Sequence, residues 1–250
     1  MRRTLVVLLL VSCILAADCA AGATQVPPLR PPRENPIDVE LDACMAKDPS
    51  TAGTIRCADR ACRAWLESAG RRGDAIRTRM DAKGKQSFDA ARTAWDRLYT
   101  GEQRLREAVY GGLLAPEGTM WIVAGTLCVV SFVRERALDL EGADALRRAA
   151  TESPEREQAR FADADAALNR EYRALREAIG PGNRQVLQLA QREWIRYRDA
   201  EAAFRSDYSH RQEQPFRTLQ KALLTESRVR QLRLYLDDLR DAGVARRGDA

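Results

Sequence analysis

The strongest constraint on this chain is a stripe of residues that occurs twice. Leu187, Ala190, Trp194, Tyr197, Glu201, Phe204 and Tyr208 follow one another at steps of three and four, the period of one helix face. Ninety-nine positions earlier the series reads Phe88, Ala91, Trp95, Leu98, Glu102, Leu105 and Val109, glutamate included. The recurrence predicts a degenerate tandem duplication. It also sets a carboxylate on an otherwise apolar face in each copy, and an unpaired buried carboxylate is strongly disfavoured. Each half holds one arginine at a matching place, Arg136 and Arg228. The expected ion pairs are Glu102–Arg136 and Glu201–Arg228, each within its own half or nearly so.

The rest of the chain also reads at the helical period. Six main helices are expected, at 51–80, 87–110, 119–150, 154–179, 183–209 and 216–240, with no segment alternating at period two. The fold class is therefore all-α: two degenerate three-helix repeats, 51–150 and 151–240, packed as a bundle. Ser87 is the expected N-cap of the second helix, and Ser153 followed by Pro154 and Glu155 that of the fourth. Met120 to Val133, the most apolar run after the leader, stops short of the ~20 residues a membrane span needs. It reads as a buried core helix along which the halves meet. Gly111–Gly118 and His210–Pro215 are expected to be irregular, exposed connections.

Ahead of the helices stand two segments of other kinds. Residues 1–23 combine Arg2 and Arg3, an apolar core from Leu5 to Ala17 and the small-x-small site Ala21-Gly22-Ala23, which predicts a signal peptide cleaved after Ala23. The rival reading is a lipobox at Leu10-Val11-Ser12-Cys13 with a lipid anchor on Cys13. Both send the chain out of the cytoplasm, to the periplasm or beyond. Residues 24–50 carry Pro27, Pro28, Pro31, Pro32 and Pro36 and read as an extended tether. The tail 241–250 is expected to fray.

Export changes how the cysteines read. Cys44, Cys57, Cys62 and Cys128 remain after the leader, an even number in an oxidising compartment, which predicts two disulfides. Cys57 and Cys62 point in different directions on one helix, so one is expected to pair with Cys44 and the other with Cys128. The spacings lack the paired motif of a zinc site, and neither metal nor cofactor is expected.

Charge excludes little but directs the search. The net charge is +5, with both signs interleaved and no basic run carrying aromatics, so nucleic acid is not the expected partner. Asp163, Asp165 and Asp199 could supply paired carboxylates, but such residues are common here, and His210 stands alone in a polar loop. None of the common catalytic fingerprints occurs. No catalytic residue is assigned and the chain is not expected to be an enzyme.

Asp165, Leu168-Asn169, Tyr172, Ala190-Gln191, Trp194, Tyr197-Arg198-Asp199, Glu201, Thr225 and Arg228 together resemble the lysozyme-inhibitor LprI-like family of secreted bacterial proteins, across about residues 156–239. The resemblance implies a binding role for Asp165, Asn169, Tyr172, Gln191, Trp194, Tyr197, Arg198, Asp199, Glu201, Thr225 and Arg228. On the residues alone, Asp165, Asn169 and Tyr172 read as a buried hydrogen-bond network tying the fourth helix to the fifth, and Trp194 and Tyr197 as core. Where the family carries cysteines this half has Arg156, Ala202 and Gln220. The first half keeps Cys57-Ala58, Cys128, Trp95, Glu102 and Arg136 but has Leu66, Gly70, Gly73 and Arg92 in place of the polar signature.

Two functional expectations follow. The resemblance implies a non-enzymatic binding protein that blocks a lysozyme or muramidase, with an exposed connection entering the enzyme's cleft. Animal-type lysozymes are basic, so a positively charged inhibitor needs a local acidic surface. The other expectation is a periplasmic helical module for structure or interaction, an envelope accessory or immunity-type binder without lysozyme inhibition.

Overall fold

The computed structural model describes residues 35–148, 151–211 and 214–245. The expected leader, Cys13, residues 24–34 of the expected tether and residues 246–250 lie outside them. Seven α-helices form a bundle, and no strand occurs among the described residues: α1 (Pro36–Lys47), α2 (Thr51–Thr78), α3 (Ala82–Arg106), α4 (Thr119–Glu141), α5 (Pro154–Ala178), α6 (Gly180–Tyr208) and α7 (Gln214–Asp241). None is long and apolar enough to cross a membrane.

Several boundaries follow local chemistry that the periodicity did not carry. α1 was expected to be tether, yet Asn35 caps it by accepting from the Ile37 amide (3.0 Å), with Pro36 in its first turn. α3 starts at Asp81, whose carboxylate accepts from the Gly84 amide (2.7 Å); Ser87, the expected cap, instead donates back to the Gly84 carbonyl (3.0 Å). Ser153 caps α5 as expected. α4 ends at Glu141, and 142–148 is a 3₁₀ segment rather than more α-helix. The Gly111–Gly118 connection is mostly helical as well: a π-helix, Glu107–Leu114, extends α3, and a 3₁₀ turn, Ala115–Glu117, follows. Gly118, at φ 144°, then turns the chain into α4, a backbone conformation open to glycine and costly for other residues. At the C-terminus, the Val244 amide donates to the Leu239 carbonyl (3.0 Å) past Gly243 at φ 74°. Ala245 is buried, so residues 242–245 of the tail, where fraying was expected, are ordered through a Schellman-type cap.

The packing pairs like with like. α2 and α4 run parallel, as Arg134 over the Trp65 ring and Arg72 bound to the Ala137 carbonyl and Glu141 show. α5 and α7 also run parallel, linked by Arg160–Glu226 and Arg233–Glu171. α3 and α6, the two striped helices, cross antiparallel: Phe88 packs edge-on against Phe204 at one end. Farther along, a Cβ at Gly101 would stand 3.4 Å from the Ala190 Cα. Two cores result, each drawn from both halves. One holds Trp65, Ile76, Val133 and Leu140 from α2 and α4 with Phe88 of α3 and Phe204 and Tyr208 of α6. The other holds Leu168, Leu175, Leu232 and Leu239 from α5 and α7 with Leu98 and Leu105 of α3 and Leu187 and Trp194 of α6. The apolar run 120–133 enters these cores only in part, because its first turn overhangs them and leaves Met120 65% and Ile122 39% exposed.

One disulfide forms, Cys44–Cys57, joining α1 to α2. Cys62 and Cys128 are free thiols, against the expectation of a second bridge. Each is engaged with a different tyrosine, Cys62 with Tyr99 and Cys128 with the Tyr110 hydroxyl at 3.4 Å. Burial pushes both thiols up from their ordinary pKa, so they stay protonated at neutral pH.

Candidate functional site

Both stripe glutamates are buried and both are paired, but not as expected. Glu102 on α3 binds Arg228 on α7 (2.6 Å), and Glu201 on α6 binds Arg136 on α4 (2.8 Å). The pairs cross between the halves because α3 and α6 each pass over to the opposite pair of parallel helices. The within-half pairs Glu102–Arg136 and Glu201–Arg228 are not formed.

Each pair sits in a wider polar cluster. Around Glu201, Arg205 binds the same carboxylate (3.0 Å) and reaches Asp139 (3.0 Å) and the Gln220 side-chain oxygen (3.2 Å), while Arg136 donates to the Tyr197 hydroxyl (3.3 Å). Burial would push the Glu201 carboxyl up, but Arg136 and Arg205 outweigh it and hold the group below the usual carboxylate range. Burial raises the Tyr197 hydroxyl, with the Glu201 charge adding to it. Around Glu102, Gln231 donates from its side-chain nitrogen (2.8 Å) and Tyr235 from its hydroxyl (3.2 Å). Arg228 also donates to Gln191 (3.2 Å) and Gln231 (2.6 Å). Arg205, Asp139 and Gln231 were not singled out in the sequence, and neither Gln220 nor Tyr235 was assigned a polar role there. Arg205 carried a readable signal, standing one helical turn after Glu201; the others are brought in from different helices.

The remaining motif residues divide by depth. Trp194 is core, as expected, and Thr225 is spent on its own helix, donating to the Lys221 carbonyl (2.7 Å). Arg198 lies over the rings of both Trp194 (5.3 Å) and Phe161 (5.5 Å), bridging α6 to α5, and contacts Asp199, which also meets Lys221. Asp165, Asn169 and Tyr172 do not form the buried network expected of them. Asn169 is exposed and donates to Asp165 along its own helix (3.0 Å), and Tyr172 is half-buried against the α5–α7 core. Between α3 and α6 runs a cleft of about 450 Å³ lined in part by Arg97, Arg104, Val186 and Leu189, open where Gly101 lets the two helices touch.

Comparison with known proteins bears on this arrangement. A family model described as "Lysozyme inhibitor LprI" matches residues 148–232, the span that holds α5, α6 and the Thr225–Arg228 part of α7. The crystal structure of an uncharacterized protein from Burkholderia thailandensis is similar in fold, with a TM-score of 0.65 and 28% identity over 81% of this chain and 97% of that one. Proteins of curated function give no match. At 81% of this chain, the similarity to the Burkholderia protein reaches past the segment matched by the family model. Residues 148–232 of this chain are thus similar to the family described as "Lysozyme inhibitor LprI".

Proposed function

We propose that the chain is an exported, non-enzymatic binding protein that inhibits a lysozyme-type muramidase, built as a fused pair of LprI-like repeats. The observation that carries this reading is the family match over residues 148–232. The Cys44–Cys57 bond supports export to an oxidising compartment, periplasmic or extracellular, and the leader-like residues 1–23 supply the route. The recurrence of the stripe at an offset of 99 supports the fused pair. In this reading Glu201, Arg228, Gln191, Trp194 and Tyr197 form the scaffold, since their polar groups are taken up inside the bundle. Asp165, Asn169, Tyr172 and Asp199 lie toward the solvent side and remain open to a partner, while Arg198 is held between the Trp194 and Phe161 rings.

The test is lysis of a peptidoglycan suspension by several lysozyme types, with the purified, oxidised protein added at rising molar ratio. Stoichiometric protection against at least one type is expected; no protection against any, from folded protein, rejects inhibition. A second reading, a periplasmic interaction module without lysozyme inhibition, is favoured by the burial of the signature itself. Glu201, Arg228 and Trp194 are nearly inaccessible, and such residues can be kept for the fold alone.

A further inference from the structure

The surface least like the rest of the molecule is the corner between α3 and α4. From Glu107 to Val133 the chain has no lysine or arginine, although it holds 41 of them in total. The only charges in that stretch are Glu107 and Glu117, both exposed. The corner is also apolar at its tip. Met120 and Ile122 are among the exposed large hydrophobic residues, beside half-buried Leu113 and Trp121. Single exposed apolar residues are ordinary; several together on one projection mark a contact surface.

The corner is held firmly from beneath. Val109, Tyr110 and Leu114 are buried at its base, and Gly125 packs so closely on the Tyr110 side chain that a Cβ there would lie 2.6 Å from it. The Tyr110 hydroxyl is bound by Asp238 of α7, which sets the end of α7 alongside. That end adds Asp237 and Asp241, with Arg240 paired to Asp237 (3.2 Å). A positively charged chain thus carries, among its described residues, a rigid projection with an apolar tip and an acidic border. A preorganised tip loses little entropy on docking, and an acidic border draws in a basic partner where the net charge would repel it.

We propose that this corner, residues 111–123, is the surface that docks on a basic lysozyme-type muramidase, with Met120 and Ile122 as its apolar anchors and Glu117 against the enzyme's cationic rim. The proposal rests on the inhibition reading above and names the contact surface for it. The test measures the inhibition constant against a chicken-type lysozyme for wild type, Met120→Asp/Ile122→Asp, Glu117→Lys and, in the α3–α6 cleft, Leu189→Asp. Melting curves check that each variant is folded, and the substituted side chains lie at the surface. The paired apolar replacement is expected to weaken inhibition by about tenfold or more, the scale of an interface hot spot. Glu117→Lys should weaken it less and flatten its dependence on salt, while Leu189→Asp leaves it unchanged. Wild-type inhibition matched by the corner variants overturns the corner and leaves the inhibition reading standing. An equal loss in Leu189→Asp overturns it too, and a wild type that inhibits no lysozyme overturns both.

Discussion

The crossed glutamates show how one residue can be committed by its surroundings. Glu201 is 1% exposed and faces two guanidinium groups, Arg136 and Arg205. Removing one member of a buried pair leaves the others uncompensated, at a cost of about 3–5 kcal/mol. Because the folded pKa lies below the ordinary value, the stabilisation is complete above the unfolded value of about 4.3. It is lost as pH falls through the folded pKa. Glu201→Gln should therefore lower the urea midpoint strongly at pH 7, and the gap to wild type should shrink below about pH 4. Paired urea titrations from pH 7 to pH 3 check this. A gap that stays constant with pH would mean that folding does not shift the Glu201 pKa.

At the scale of elements, the division between what could be read and what could not follows the source of each signal. The stripes of α3 and α6 were legible because a long amphipathic helix repeats its apolar residues often enough to stand out. α1 was not: no residue in it is buried, and the prolines that lead up to it and open it point to extended chain. It is held instead by the Cys44–Cys57 bond, by Asp38–Arg134 (2.8 Å) and by Ile37 and Leu41 against the core. Closing a loop of this length stabilises a chain by about 3 kcal/mol in the entropic model. Cys44→Ser should accordingly speed hydrogen exchange across residues 36–47 and leave α3 and α6 protected. Uniformly faster exchange through the bundle would show instead that α1 is integral to the core. The Asn169–Asp165 contact escaped the sequence for a related reason. Helical period places residues on one face, but it does not say whether a neighbour covers that face.

For the whole molecule, the decisive unknown was which half each striped helix packs against. Both stripes carry a glutamate and both third helices carry an arginine, so pairing within and pairing between halves satisfy the sequence equally. Backbone contact decides it: Gly101 against Ala190 brings α3 and α6 together antiparallel, and each then reaches the other half's arginine. The halves therefore complete each other's cores, and the LprI-like segment at 148–232 depends on α3 and α4 to bury its own signature. The α3–α4 corner, the α7 end beside it and the ion pairs beneath belong to one body. Double-mutant cycles over Glu102, Glu201, Arg136 and Arg228, read by urea denaturation, test that interlock most directly. The account expects couplings of about 0.5–3 kcal/mol for Glu102–Arg228 and Glu201–Arg136, and additivity within about 0.5 kcal/mol for Glu102–Arg136 and Glu201–Arg228. Strong coupling in the within-half cycles, with none in the crossed ones, would contradict it.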